Sequence, residues 1–131
     1  MTKRAITGEH LSEIRLLIVE DEPMLAYALE ESLLEAGFQV TGVAGRLGPA
    51  LALIETDNCD AAIIDANLAG VSAAPAAAAL LARGVPFIVV SGYSSAQQNG
   101  AFSGGRFLQK PYQMEELIRV VRGLFGQNRV A

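Results

Sequence analysis

Ala61-Ala62-Ile63-Ile64-Asp65-Ala66-Asn67 is the stretch on which the reading of the fold turns. Four apolar residues in a row predict a strand buried on both faces, and a carboxylate is tolerated there only where the strand emerges from the sheet. Asp65 is therefore expected at a C-terminal strand tip. In open parallel α/β sheets such tips border the crevice where ligands bind, at the point where strand order reverses. Asp65 is the candidate reactive residue on that ground.

Working outward, the same pattern recurs. Residues 15–19 form a branched apolar run that ends in Glu20-Asp21-Glu22-Pro23. Pro23 suits a first helical turn, and Leu25, Leu29, Leu33 and Ala36 then recur at helical spacing before Gly37, a C-terminal cap. Residues 38–44 predict a second strand, and Leu47, Ala50, Leu51 and Ile54 a second helix. After the third strand (61–66), Ser72 is a candidate N-cap and Pro75 fits the first turn. The alanine-rich run to Arg83 is strongly helical, with Gly84 as its stop. Residues 86–90 are a fourth buried strand ending in Ser91. The 92–105 region, rich in Gly, Ser, Gln and Asn, predicts at most a short helix. Residues 106–109 are a fifth strand running into Lys110-Pro111, and a last helix spans about 113–125 with Leu117, Val120, Val121 and Leu124 inward. Five strands alternating with five helical segments specify an α/β, doubly wound, five-stranded parallel sheet of flavodoxin-like order 2-1-3-4-5. That order makes the first and third strands neighbours. Asp21 and Asp65 then face one another across about 5 Å, with Glu20 beside them.

Composition bounds the rest. The 131 residues fit one domain, divided into a leader (1–14), a body (15–125) and a C-terminal tail (126–131). Hydrophobic residues make up 51% of the chain and charged ones 18%, which excludes disorder, while no apolar run reaches the ~20 residues of a membrane span. The first ten residues lack the apolar core of a secretory signal, so a cytoplasmic location is expected. The lone cysteine, Cys59, excludes an internal disulfide; between Asp57 and Asp60 it suits buried packing better than reactivity. The lone histidine, His10, has no second histidine to form a metal pair. A net charge of −4 without a basic patch argues against nucleic-acid and membrane-surface binding.

Three carboxylates in one crevice repel, by roughly 4 kcal/mol per pair at ~4 Å and an effective dielectric near 20, so the cluster must hold a proton or a cation. Hard oxygen ligands without histidine or thiolate suit Mg²⁺. Its expected direct ligands are Asp21, Asp65 and the backbone carbonyl of Asn67, with Glu20 acting through a water. Alternatively, residues 20–22 are simply an acidic helix N-terminus, which the helix dipole favours. Two further residues bear on this. Ser91, ending the fourth strand, can donate to Asp65, and Lys110, ending the fifth, can bring a positive charge. A carboxylate between a metal, a lysine and a hydroxyl is equipped to attack phosphorus, because in-line phosphoryl transfer needs mainly neutralisation of the equatorial oxygens. Asp65 is then nucleophile and covalent acceptor. Taken singly, Ser91 is an ordinary strand-end hydroxyl and Lys110 a surface lysine.

With Val19-Glu20-Asp21-Glu22 at the first tip, Asp65 after the third, Ser91 after the fourth and Lys110-Pro111 after the fifth, the chain resembles the receiver domain of two-component response regulators. The resemblance spans about residues 15–125. It implies phosphorylation of Asp65 by a histidine kinase or a histidine phosphotransfer protein, Mg²⁺ dependence, slow hydrolysis with water as acceptor, and a cis peptide before Pro111. It also implies a coupled pair, here Ser91 and Phe107, that biases a surface on the fourth helix, fifth strand and fifth helix when phosphate binds. Such a shift takes about 5.5 kcal/mol of differential interaction; core packing is the other explanation of Phe107. Within the family, Pro86-Phe87-x-x-x-Ser91-Gly92-Tyr93 and Asp65-x-Asn67-Leu68-x-Gly70 are similar to an alphaproteobacterial subgroup with Pro-Phe-x-Phe-Ala-Thr-Gly-Tyr. The departures are Val89, Val90 and Ser91, and the subgroup implies a distorted fourth helix.

Rival readings fare worse. A haloacid-dehalogenase-type phosphatase places Asp-x-Asp after its first strand, whereas position 67 is Asn and follows the third. Gly42, Gly45 and Gly48 do not fit a dinucleotide fingerprint. The serious alternative is a receiver-like binding module acting through unphosphorylated protein contacts. On either reading the chain is no enzyme beyond its own phosphorylation and dephosphorylation. With no room for an output domain, it is expected to contact an unknown downstream protein or drain phosphate from a kinase, and whether the helix 4 to helix 5 face forms a homodimer stays open.

Overall fold

The computed structural model describes residues 13–56, 58–92 and 100–126. Most of the leader, with His10, and Asp57, Tyr93 and the tail from residue 127 lie outside them. Five parallel strands form one sheet in the order β2 (Gln39–Ala44), β1 (Arg15–Val19), β3 (Ala61–Asp65), β6 (Phe87–Ser91) and β7 (Arg106–Gln109). This is the expected 2-1-3-4-5 order; the two extra labels belong to a small antiparallel hairpin, β4 (Asn67–Leu68) and β5 (Val71–Ser72), that the sequence did not announce. The described helices are α1 (Pro23–Glu35), α2 (Leu47–Thr56), α3 (Ala74–Ala82) and α4 (Met114–Leu124). The weak 92–105 region contributes a 3-10 segment, Gly100–Gly104, and residues 93–99 lie outside the description.

Side-chain alternation along the central strands builds two cores, because successive residues point to opposite faces. Leu17, Val19, Ala62, Ile64, Phe87 and Val89 pack with Ala50 and Ile54 of α2 and Ala76, Ala77 and Leu80 of α3. Leu16, Ile18, Ala61, Ile63, Ile88, Val90 and Leu108 pack with Leu29 and Leu33 of α1 and Leu117 and Val121 of α4. Ile14 is fully buried in this second layer and its carbonyl accepts the Gln39 N–H, so the packed unit reaches back to residue 14. Cys59 is buried in the first layer, as expected.

Helix ends follow the expected chemistry with one correction. Gly37 (φ +102°) and Gly84 (φ +70°) take left-handed conformations that stop α1 and α3. In both cases the next residue, Phe38 or Val85, donates to the carbonyl of Leu33 or Leu80. Phe38 is thus part of the α1 stop, and the second strand starts one residue later than expected. Ser72 is not the N-cap of α3: that position is Ala73, and the Ser72 hydroxyl accepts the Ala74 N–H at 3.1 Å from within the hairpin. The third strand ends at Asp65, because the Ala66 N–H turns to the Val90 carbonyl and its own carbonyl accepts from Ala73. Gly105 allows the 3-10 segment to pass close over the sheet, since a Cβ there would stand 2.4 Å from Phe87 Cε2.

Candidate functional site

Parity along the strands decides which side chains meet at the C-terminal edge. Asp65 follows Ala61 and Ile63 on the face toward α1 and α4, and Lys110 follows Leu108 on that same face. Register brings them close: Asp65 pairs with Val90, and Val90 with Leu108. Glu20 continues the alternation of Leu16 and Ile18, and its N–H extends the ladder to the Ala44 carbonyl. The result is an open cleft lined by Glu20, Asp21, Glu22, Asp65, Asn67, Ala69, Ser91, Gly92 and Lys110. Every site residue expected from the sequence lines it, apart from Phe107.

Within the cleft, one carboxylate oxygen from each of Glu20, Asp21 and Asp65 lies within 4.8 Å of the others. Glu20 (5% exposed) and Asp65 (6%) are buried, and Asp21 is the most accessible of the three. Asp65 is held at both oxygens: Oδ1 accepts the Asn67 N–H at 3.0 Å and Oδ2 the Lys110 ammonium at 2.6 Å. Lys110 is aimed by its backbone, whose N–H donates to the Ser91 carbonyl at 2.8 Å, and a cis peptide joins it to Pro111. Ser91 is buried beside Asp65's strand. The Asn67 side-chain oxygen accepts the Gly70 N–H at 2.6 Å, which ties it into the hairpin turn.

The charges respond to this crowding. Burial, together with the negative charge of Asp65, pushes the Glu20 carboxyl up to about 7, against the opposing pull of the Glu22 N–H and Lys110. Burial draws the Lys110 ammonium down, but its hydrogen bond to Asp65 and the charges of Asp65, Glu20 and Asp21 outweigh that and leave it raised. Three clustered carboxylate oxygens without histidine or thiolate fit a hard divalent cation such as Mg²⁺.

Phe107 lies on the opposite face. Leu108 faces α1 and α4, so its neighbour faces α2 and α3, half-buried and in register with Val89. Ser91 shares that face two residues further along β6. Two residues of the cleft region were not expected from sequence. Ala69, in the hairpin turn, lines the cleft with a positive φ of 54°. Tyr112 carries a buried hydroxyl behind the site; its position directly after Lys110-Pro111 was the available signal.

The response regulator receiver domain model matches residues 16–122. The chain belongs to the response regulator receiver domain family. Among curated relatives, this receiver is 32% identical over 120 residues to the transcriptional regulatory protein TcrA of Mycobacterium tuberculosis, covering 87% of this chain and 47% of TcrA. The receiver spans about half the length of the curated relatives it matches. Among solved structures, SdrG from Sphingomonas melonis superposes with a TM-score of 0.72 at 37% identity, covering 85% of this chain and 95% of SdrG. The receiver domain of the sensor histidine kinase PA1611 from Pseudomonas aeruginosa superposes with a TM-score of 0.73 at 25% identity, covering 87% and 98%. That structure has a magnesium ion coordinated in its active-site cleft. Among the described residues, no helix is long and apolar enough to cross a membrane.

Proposed function

We propose that this receiver accepts a phosphoryl group on Asp65 from the phosphohistidine of a histidine kinase or a histidine phosphotransfer protein. An Asp65 carboxylate oxygen attacks phosphorus as the P–N bond to the donor imidazole breaks, and the imidazole nitrogen keeps the electron pair. Water later takes the phosphoryl group as inorganic phosphate. The observation that carries this reading is the Lys110 ammonium 2.6 Å from Asp65 Oδ2, on the side of a carboxylate that also borders Glu20 and Asp21.

Asp21, Asp65 and the Asn67 backbone carbonyl would hold Mg²⁺ directly, and Glu20 through a water. When bound, the ion neutralises charge on the transferring oxygens. Lys110 supplies a second positive charge at Asp65 Oδ2, and the Ser91 hydroxyl donates to a phosphoryl oxygen. The Asn67 N–H fixes Asp65 through its other oxygen. Ser91 and Phe107 share a face on adjacent strands, offset by two positions, so an inward shift of the Ser91 hydroxyl opens space toward which Phe107 turns. The chain is no enzyme beyond its own phosphorylation and dephosphorylation, and it acts in the cytoplasm. Its output is a contact with a downstream protein or the draining of phosphate from a kinase.

The test is incubation with phosphoramidate and Mg²⁺ followed by intact-protein mass measurement. One added phosphoryl group, absent from Asp65→Asn and after chelation, is expected. No mass gain in the wild type, under conditions that phosphorylate another receiver, would instead indicate a module working by unphosphorylated contacts.

A further inference from the structure

Tyr112 packs its ring against the apolar layer between the sheet and helices α1 and α4. Its hydroxyl oxygen is buried and, among the described residues, has no hydrogen-bond partner. A phenol shut away from water without a partner forfeits the hydration of its hydroxyl, and phenylalanine would fill nearly the same volume without that loss.

Glu20 is the complementary case. It is buried, it continues the Leu16 and Ile18 alternation onto the same face of the sheet, and its Oε2 accepts the Glu22 N–H at 3.0 Å. An ionised carboxylate offers about four lone-pair sites, so Glu20 has acceptor capacity to spare. The hydroxyl also lies within the field of the cluster: after burial, the charges of Glu20 and then Asp65 push the Tyr112 phenol up to about 12. A buried hydroxyl without an acceptor among the described residues, two residues beyond the lysine that holds Asp65, and a buried carboxylate with lone pairs to spare thus lie on the same face of the sheet.

We propose that Tyr112 is a positioning residue for the cation site: its hydroxyl donates to the Glu20 carboxylate when a divalent cation is bound, holding Glu20 toward the ion. The inference rests on the proposed Mg²⁺-dependent acceptance of phosphate. Tyr112 touches neither the ion nor Asp65 in this role; it acts through Glu20 alone.

The experiment pairs Mg²⁺ titration calorimetry with thermal melts in chelator, on wild type and Tyr112→Phe. In chelator the variant is expected to melt at the same temperature or higher, because an unpartnered hydroxyl is gone. Its Mg²⁺ affinity is expected to fall about fivefold, the worth of one hydrogen bond. A purely structural tyrosine would move stability and leave Mg²⁺ affinity alone. The wild type should also show a tyrosine ultraviolet difference spectrum on adding Mg²⁺ that Tyr27→Phe retains and Tyr112→Phe loses; if Tyr112→Phe fails to fold, tyrosine ring-carbon NMR shifts of the wild type on adding Mg²⁺ decide. Mg²⁺ binding by the wild type with unchanged affinity in the variant, or with no change at the Tyr112 ring, overturns the assignment of Tyr112 alone. No Mg²⁺ binding by the wild type overturns the cation site with it.

Discussion

Lys110 donates to Asp65 Oδ2 at 2.6 Å across the width of β6, from a side chain 34% exposed to one 7% exposed. The lysine therefore spans from the edge strand to the middle of the sheet, and its backbone anchor on Ser91 fixes where that reach ends. Lys110→Met should keep the fold, because the long stem still covers the same apolar surface. Phosphorylation by phosphoramidate at saturating Mg²⁺ should slow about 100-fold, the usual cost of removing one charged group aimed at developing charge. Mg²⁺ affinity should rise, because the acidic cluster loses its only close cation among the described residues. Calorimetry and mass measurement on the same sample separate the two effects, and a fall in both would mean that Lys110 helps to build the metal site.

The acidic cluster stores repulsion that a cation relieves. Melting of the wild type should therefore rise with Mg²⁺, and at 100 times the dissociation constant the gain is about 2.7 kcal/mol, several degrees in a domain of this size. Asp21→Asn should melt higher than wild type in chelator, since one of three neighbouring carboxylates is neutral. It should also gain much less from Mg²⁺. A wild-type melting temperature indifferent to Mg²⁺ would contradict the assignment of the cluster as a cation site.

Glu20 gives the metal-free protein a pH dependence of definite sign. Its carboxyl stands at about 7 in the fold against an ordinary value of 4.5, with burial the main cause. Between those values the folded state binds more protons than the unfolded chain, so stability is full below the lower value and is lost as pH rises through the upper one. Because solvent screens the open cleft, the loss is on the order of 1 to 2 kcal/mol between pH 4.5 and 7. Urea midpoints measured in chelator should fall across that window, and Glu20→Gln should flatten the slope. A midpoint that instead rose between pH 5 and 7 in wild type and variant alike would assign the dependence to other groups.

The sheet was legible because burial on both faces leaves a distinct trace: runs such as 16–19, 61–64 and 87–90 are apolar without interruption, and each ends abruptly in a polar group. Those polar ends, Glu20, Asp65 and Ser91, are the cleft. Lys110 was legible instead from its place before Pro111 at the end of the short, mixed run 106–109. The hairpin was not, because two strands of two residues have no period to detect, and Ser72 offered the competing signal of a helix cap. Tyr112 was hidden differently. Its ring obeys the apolar pattern, while its hydroxyl shows as a misfit only when the surrounding packing is known.

The hairpin turn explains its own silence. Both central residues of the turn between Leu68 and Val71 take positive φ, Ala69 at 54° and Gly70 at 92°. A two-residue turn of that kind favours Asn-Gly or Asp-Gly, and alanine is a poor marker for it. A left-handed alanine costs roughly 1 kcal/mol relative to its preferred region, and asparagine tolerates the conformation better. Ala69→Asn should therefore raise stability by about 0.5 kcal/mol, read as a higher urea midpoint with unchanged slope. Ala69 also lines the cleft, so a larger side chain narrows the approach to Asp65 from the hairpin side. Phosphorylation by a protein donor should slow more than phosphorylation by phosphoramidate, which is small enough to pass. Equal slowing with both donors would place the effect on Asp65 itself, through the Asn67 N–H that the hairpin holds against it.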